Sequence, residues 1–195
     1  MIQTSEYLRK SIHFFNLIIP LTYLLVIPDK YLVVKLLSVF TLLFIFIDVG
    51  RHRIKWIRFI FRRWFNFMLR QHELEAQLTG ASWVMIGALV TVLLFPRPVA
   101  ILSLIFMSLG DLAAAMVGMS FGKHKIWEKS LEGFFGGLIV CIVIAWFYQQ
   151  VPFPLGVAGA LGAMVMELLP IPLDDNFKMP LGAGMTIMMF GFTPA

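Results

Sequence analysis

The chain is dominated by apolar runs that recur from end to end. They fall at residues 11–28, 31–49, 80–95, 99–120, 131–149, 152–169 and 180–192. A membrane-spanning helix needs about 20 mostly apolar residues. Inside lipid, a helix satisfies all of its backbone polar groups within the segment. The runs therefore predict an all-α, polytopic integral membrane protein with about seven transmembrane helices. The last run is short: at 1.5 Å per residue, about 13 residues cover roughly 20 Å, less than the hydrocarbon core. Either its flanks extend it or the membrane thins around it.

Composition separates this chain from soluble proteins. Hydrophobic residues make up 59% and charged residues 14%, against about 25% charged in a soluble domain. There is no break in composition, no fixed-period repeat and no low-complexity tract, so residues 1–195 read as one membrane-embedded domain. The net charge of +5 points to positive-inside bias and anionic lipid headgroups rather than to nucleic acid. Cys141 is the single cysteine, which rules out an intramolecular disulfide and a cysteine-based metal cluster. His52, His72 and His124 lack metal-ligand spacing, so zinc is not expected. Arg9 and Lys10 precede the first run as in a signal peptide, but no small-x-small site follows Val26-Ile27-Pro28-Asp29. The first helix is expected to stay uncleaved.

Lysine and arginine set the orientation. Arg9 and Lys10 precede the first run; a dense group from Arg51 to Arg70 lies between the second and third. Lys123, Lys125 and Lys129 follow the fourth, and Lys178 follows the sixth. The other side carries only Lys30, Lys35 and Arg97. The N-terminus and the lysine-bearing loops are therefore expected in the cytoplasm, with the C-terminus outside and a cell inner membrane as the location. Arg51, Lys55, Arg58, Arg62, Asn66 and Arg70 share one helical face at spacings of three and four, amid aromatic and aliphatic residues. This predicts a basic amphipathic interfacial helix. It anchors to anionic headgroups, or some of its arginines grip a substrate phosphate.

Three groups carry chemistry. Asp111 lies in an apolar run, where a carboxylate costs several kcal/mol unless paired. Ala115, Gly118 and Gly122 share its helix face, which lets another helix close in; close packing with a structural ion pair is the simpler alternative. Next, the segment from Phe121 to Gly133 has glycines at both edges, three lysines, and Ser130 placed to cap the following helix. Lysine charges beside a helix start make a polyphosphate cradle, without the P-loop spacing. Cytoplasmic loops are lysine-rich in any case. Third, Gly156, Ala160, Ala163 and Glu167 share a face that leads to the adjacent Asp174 and Asp175. Paired carboxylates ask for a cation, and magnesium combines a few carboxylates with substrate phosphates. The alternative is an acidic turn with Asp174 as a cap.

Smaller groups lie on the same side. Arg9, Lys10 and His13 start the first run, and Glu75, Thr79 and Gly80 lead into the third. His13 alone reads as a packed residue. Asp48 and Arg51, three apart, read as a helix-end ion pair. Carboxylates and lysines gathered on one face suggest a nucleotide at the membrane surface, with a lipid headgroup or lipid alcohol as second substrate.

These residues resemble a known family. Gly110-Asp111, Ala114, Gly118, Phe121-Gly122-Lys123 and Lys129-Ser130-Leu131-Glu132-Gly133 are similar to motifs of the CTP-dependent lipid kinases. That family includes dolichol kinase, phytol kinase and the yeast-type diacylglycerol kinase. Asp174-Asp175-Asn176 with Pro180 resembles its acidic motif, Glu167 its upstream glutamate, and Arg9, Lys10, His13, Glu75, Thr79 and Gly80 its N-terminal elements. Met119 stands where an arginine is common. The resemblance implies transfer of a terminal phosphoryl group, from CTP with Mg2+, to a lipid hydroxyl of the diacylglycerol, polyprenol or phytol type. It implies Asp111, Lys129, Asp174 and Asp175 as catalytic residues. Asp111, Glu167, Asp174 and Asp175 would face the metal. Gly122, Lys123, Lys125, Lys129, Glu132, Gly133 and Asn176 would face the nucleotide. Phosphatidate cytidylyltransferases are wider relatives, so formation of a CDP-lipid is the alternative reaction. A small transporter would place charges near the midplane and show repeated halves; neither pattern is present.

Overall fold

The computed structural model describes residues 15–56, 59 and 78–193. Its helices are α1 (Ile18–Leu25), α2 (Lys30–Arg53), α3 (Gly80–Leu94), α4 (Arg97–Ile105), α5 (Asp111–Phe121), α6 (Leu131–Phe147), α7 (Phe153–Leu168) and α8 (Asp175–Met189). A π-helical turn, Phe106–Gly110, joins α4 to α5 without interrupting the rod. Among the described residues, two helical stretches, Lys30–Arg51 and Arg97–Phe121, are long and apolar enough to cross a membrane; α3, α6 and α7 are shorter apolar helices.

Local signals account for most boundaries. Asp29 caps α2 by accepting from the Tyr31 N–H at 2.9 Å. Ser130 caps α6 by accepting from Gly133 N–H at 3.1 Å. Pro96 and Pro152 stand at the N-caps of α4 and α7, where a missing N–H costs nothing. The last helix begins at Asp175, five residues ahead of its apolar run. Asp174 is its cap, and Pro180 lies inside it. Proline there leaves the Asn176 carbonyl without its usual N–H donor. Gly87 of α3 packs against that carbonyl, where a Cβ would not fit. The flanking residues thus lengthen the short last run.

The rod α4–π–α5 is the hub. Residues 99–108 are buried without a break, and α1, α3, α6, α7 and α8 pack around it. Outside, α2 exposes Tyr31, Val39, Leu42 and Phe46, while α6 exposes Ile139, Val143 and Trp146. An apolar outer surface of this kind suits lipid. At the end of the bundle away from Asp175, Lys30 donates to the carbonyls of Leu93 and Phe95 at 3.2 and 3.0 Å. Arg97 donates to those of Tyr23 and Leu24 at 3.1 and 2.9 Å. Both cations satisfy carbonyls at helix ends that lack intrahelical donors.

Among the described residues, one feature lies outside an all-α description. Between α5 and α6 runs a small antiparallel hairpin, β1 (Lys125–Ile126) with β2 (Lys129–Ser130). Its turn places Trp127 at φ 54°, a backbone region that a bulky residue enters at a cost. No glycine marks that turn, so sequence pattern could not reveal it. Of the basic segment, α2 carries Arg51 and Arg53 as far as its end; Arg58, Arg62, Arg63 and Arg70 lie outside the described residues.

Candidate active site

The site forms where α5, α7, α8 and the hairpin meet. Asp111 enters at the first position of α5, just after the π-turn; such turns recur at functional sites. Glu167 comes from the last turn of α7, and Asp175 from the first residue of α8. One carboxylate oxygen from each falls within 4.8 Å of the others. Asp111 and Glu167 are buried, at 2% and 4% exposure. Carboxylates so placed must be paired or bind a cation.

Lys129 supplies the pairing. Its ammonium donates to Glu167 Oε1 and to Asp175 Oδ2, each at 2.7 Å. Burial works against its charge, but the carboxylates of Asp175, Glu167 and Asp111 outweigh burial and hold its pKa above the ordinary lysine value. On the far side, Lys178 lies 3.0 Å from Asp175 Oδ1 and donates to the Leu169 carbonyl at 2.8 Å. Along the chain, Lys178 follows the acidic pair closely as well as marking a loop expected in the cytoplasm. Its i,i+3 spacing from Asp175 on a helix was the available signal.

The triad fits a hard divalent cation. Its donors are all carboxylate oxygens, which magnesium prefers. Glu167 Oε2 is buried and has no hydrogen-bond partner among the described residues, an arrangement that asks for an electrophile.

Other expected residues take different places. Asp174 stands apart from the triad. Its Oδ1 accepts from Asn176 N–H at 3.0 Å and from the Asn176 side-chain amide at 2.6 Å, which is the capping alternative. Lys123 and Lys125 are exposed, and Lys125 pairs with Ser130 in the hairpin that carries Lys129. Glu132 accepts from the His124 N–H at 3.2 Å and lies 2.7 Å from His124 Nδ1, tying the loop to α6. The room beside Gly122 and Gly133 is already filled: a Cβ would meet Ser130 Oγ at 2.8 Å in the first case and the Ala114 carbonyl at 2.7 Å in the second. These glycines let α5, α6 and the hairpin close together. Thr79 donates through N–H and hydroxyl to Asp48 Oδ2 at 2.8 and 2.9 Å. Ser82 Oγ lies 2.6 Å from the same oxygen, and Arg51 Nε is 3.6 Å from Asp48 Oδ1. Asp48 thereby pins the start of α3, Gly80 included, to the end of α2. Arg9, Lys10, His13 and Glu75 lie outside the described residues.

No protein-family model and no solved structure matches the chain. An uncharacterized protein of Rickettsia prowazekii is 28% identical over 193 residues, covering 94% of each chain. A probable chloroplastic phytol kinase of Triticum aestivum is 32% identical over 145 residues, 64% of this chain and 48% of its own. CTP-dependent diacylglycerol kinase 1 of Schizosaccharomyces pombe is 27% identical over 150 residues, 66% of this chain and 68% of its own. The chain thus spans about half the length of the plant relative.

Proposed function

We propose, for a chain that is related to the CTP-dependent lipid kinases, that it moves the terminal phosphoryl group of CTP to the hydroxyl of a membrane lipid. The observation that carries this reading is the convergence of Asp111, Glu167 and Asp175 on Lys129. Phosphoryl transfer demands mostly positioning and charge neutralisation. Magnesium held by the triad would supply neutralisation of the phosphate charge. Lys129, with Lys123 or Lys125, takes the polyphosphate as point charges. The Ser130-capped N-terminus of α6 adds partial positive charge beside it. A triad carboxylate serves as acceptor for the lipid hydroxyl proton. The lipid enters sideways between helices and presents only its hydroxyl. Asp174, Glu132 and Asn176 shape this site through the loop and cap contacts described above.

The same reading makes residues 1–195 one domain with seven spans, an N-terminus in the cytoplasm and a C-terminus outside, in a cell inner membrane. The site then faces the cytoplasm, and the basic segment from Arg51 to Arg70 rests on anionic headgroups. Cysteine labelling from outside should reach a probe at Ala195 and miss one at Lys125. Both on one side would break this topology.

The deciding experiment supplies purified protein in mixed micelles with diacylglycerol, polyprenol and phytol. CTP, UTP and ATP are offered with label at the γ or the α phosphate. Label from γ-phosphate in the lipid is expected, strongest with CTP. Label from α-phosphate instead would mean nucleotidyl transfer, giving a CDP-lipid from an added phosphatidate. No lipid labelling under any condition overturns the proposal.

A further inference from the structure

The two lysines of the site hold their carboxylates differently. Lys178 is buried and also bonded to a backbone carbonyl, that of Leu169. Lys129 is 31% exposed and reaches in from a short hairpin on a flexible stem. Among the described residues its hydrogen bonds go to Glu167 and Asp175. Lys178 is therefore fixed, and Lys129 is the ammonium that is free to leave.

Charge and space both bear on what happens when a divalent cation arrives. Lys129 is held by two carboxylates of the triad, and a divalent cation on the same carboxylates would set like charges against each other in a partly buried place. Magnesium binds oxygen at about 2.0–2.1 Å, and the Lys129 ammonium already sits 2.7 Å from two of the triad oxygens. A cation on those oxygens would lie against the ammonium, with little solvent to screen them. The spare acceptor, Glu167 Oε2, adds to the ligands open to an incoming cation.

We infer that Lys129 is the exchangeable counter-ion of the Asp111–Glu167–Asp175 triad: the divalent cation enters as Lys129 leaves, and the displaced ammonium moves to the polyphosphate that arrives with the cation. This rests on the metal–nucleotide reading given above. Its consequence is an order of binding. The protein takes the cation together with a triphosphate and holds the free cation poorly, because Lys129 occupies the triad until phosphate oxygens offer it another partner.

Binding of Mn2+ to the full chain in detergent, followed by the paramagnetic signal of the free ion, tests this without reference to turnover. Wild-type protein should bind Mn2+ alone weakly, and at least about tenfold more tightly when CTP is present. Lys129→Met should bind Mn2+ alone at least about tenfold more tightly than wild type, with a smaller further gain from CTP. Lys129→Arg, which keeps the charge, should stay weak. Lys35→Met, which removes the same charge from an exposed position on α2, should match wild type. Should the methionine variant fail to fold, Lys129→Gln keeps a donor to the carboxylates and serves in its place. A folded Lys129 variant that binds Mn2+ alone no more tightly than wild type, while wild type binds Mn2+ with CTP, overturns the exchange alone. Absence of Mn2+ binding in every protein, with and without CTP, overturns the metal reading of the triad and the exchange with it.

Discussion

Lys178 Nζ lies 3.0 Å from Asp175 Oδ1 and 2.8 Å from the Leu169 carbonyl oxygen. One buried ammonium thus ties the end of α7 to the first turn of α8 and fixes the direction of a triad carboxylate. Lys178→Met should cost about 2 kcal/mol or more, because it strips a charged donor from both acceptors. Turnover should fall with it as Asp175 loses its orientation. Lys178→Arg should not restore either property, since a planar fork does not replace a compact ammonium in a buried slot. Unfolding in detergent and lipid phosphorylation by the folded fraction check this; a stable, fully active methionine variant would contradict it.

The adjacent aspartates should separate cleanly. Asp174 acts through its cap on α8, and asparagine caps about as well as aspartate. Asp174→Asn should therefore stay within about threefold of wild-type turnover, while Asp174→Ala loses about 1 kcal/mol of stability. Asp175→Asn and Asp111→Asn should each lower turnover by roughly a hundredfold or more, as expected for lost charge stabilisation. The double variant should fall far short of the product of the two effects, because residues that act as a unit are not additive. Raised magnesium should partly restore each single variant. Equal losses for Asp174→Asn and Asp175→Asn would put both aspartates at the metal.

Gly133 offers a packing test. A Cβ there would stand 2.7 Å from the Ala114 carbonyl oxygen, and backbone yields little. Gly133→Ala should destabilise by about 1–3 kcal/mol. It should also reduce turnover of the remaining folded protein, because α6 carries the hairpin and Lys129 at its start. Gly156→Ala meets Ala145 Cβ at 2.8 Å at the other end of the bundle. It should show a stability loss with turnover of the folded fraction nearly intact. Matching activity profiles for the two variants would disconnect Gly133 from the site.

Asp48 carries a buried junction. Its carboxylate holds Thr79 and Ser82 and faces Arg51. Asp48→Ala should cost about 3 kcal/mol or more, as the removal of one partner from a buried charged group does. Ser82→Ala should cost about 1 kcal/mol, the worth of one hydrogen bond. Chemical unfolding of both variants in one detergent gives the comparison, and a smaller loss for Asp48→Ala than for Ser82→Ala would refute the assignment.

Several parts of this site were visible along the chain for local reasons. Asp111 and Glu167 stand out as carboxylates at the ends of small-residue faces within apolar runs, where lipid makes an unpaired charge expensive. Ser130 announces a helix start because a hydroxyl at that position satisfies a free N–H. The start of α8 lies ahead of its apolar run, because the helix opens on the polar turn of Asp175, Asn176 and Lys178. The true cap, Asp174, looked equally suited to a metal.

What depends on solvent and on neighbours a few residues away can be read along the chain: a helical membrane protein, its apolar runs, several of its caps, and the residues whose charge needs explaining. The tertiary structure alone decided which charges meet. Lys129 is 38 residues from Glu167 and 46 from Asp175, and Asp48 is 31 from Thr79. A helical period says which side of its own helix a residue occupies, but not which helix lies opposite or at what depth. Those are set by packing, as where Gly87 seats on the Asn176 carbonyl and Gly133 on that of Ala114. The separation of Asp175 from Asp174 has the same cause: once α8 starts at Asp175, one aspartate turns into the triad and its neighbour turns back to close the helix end.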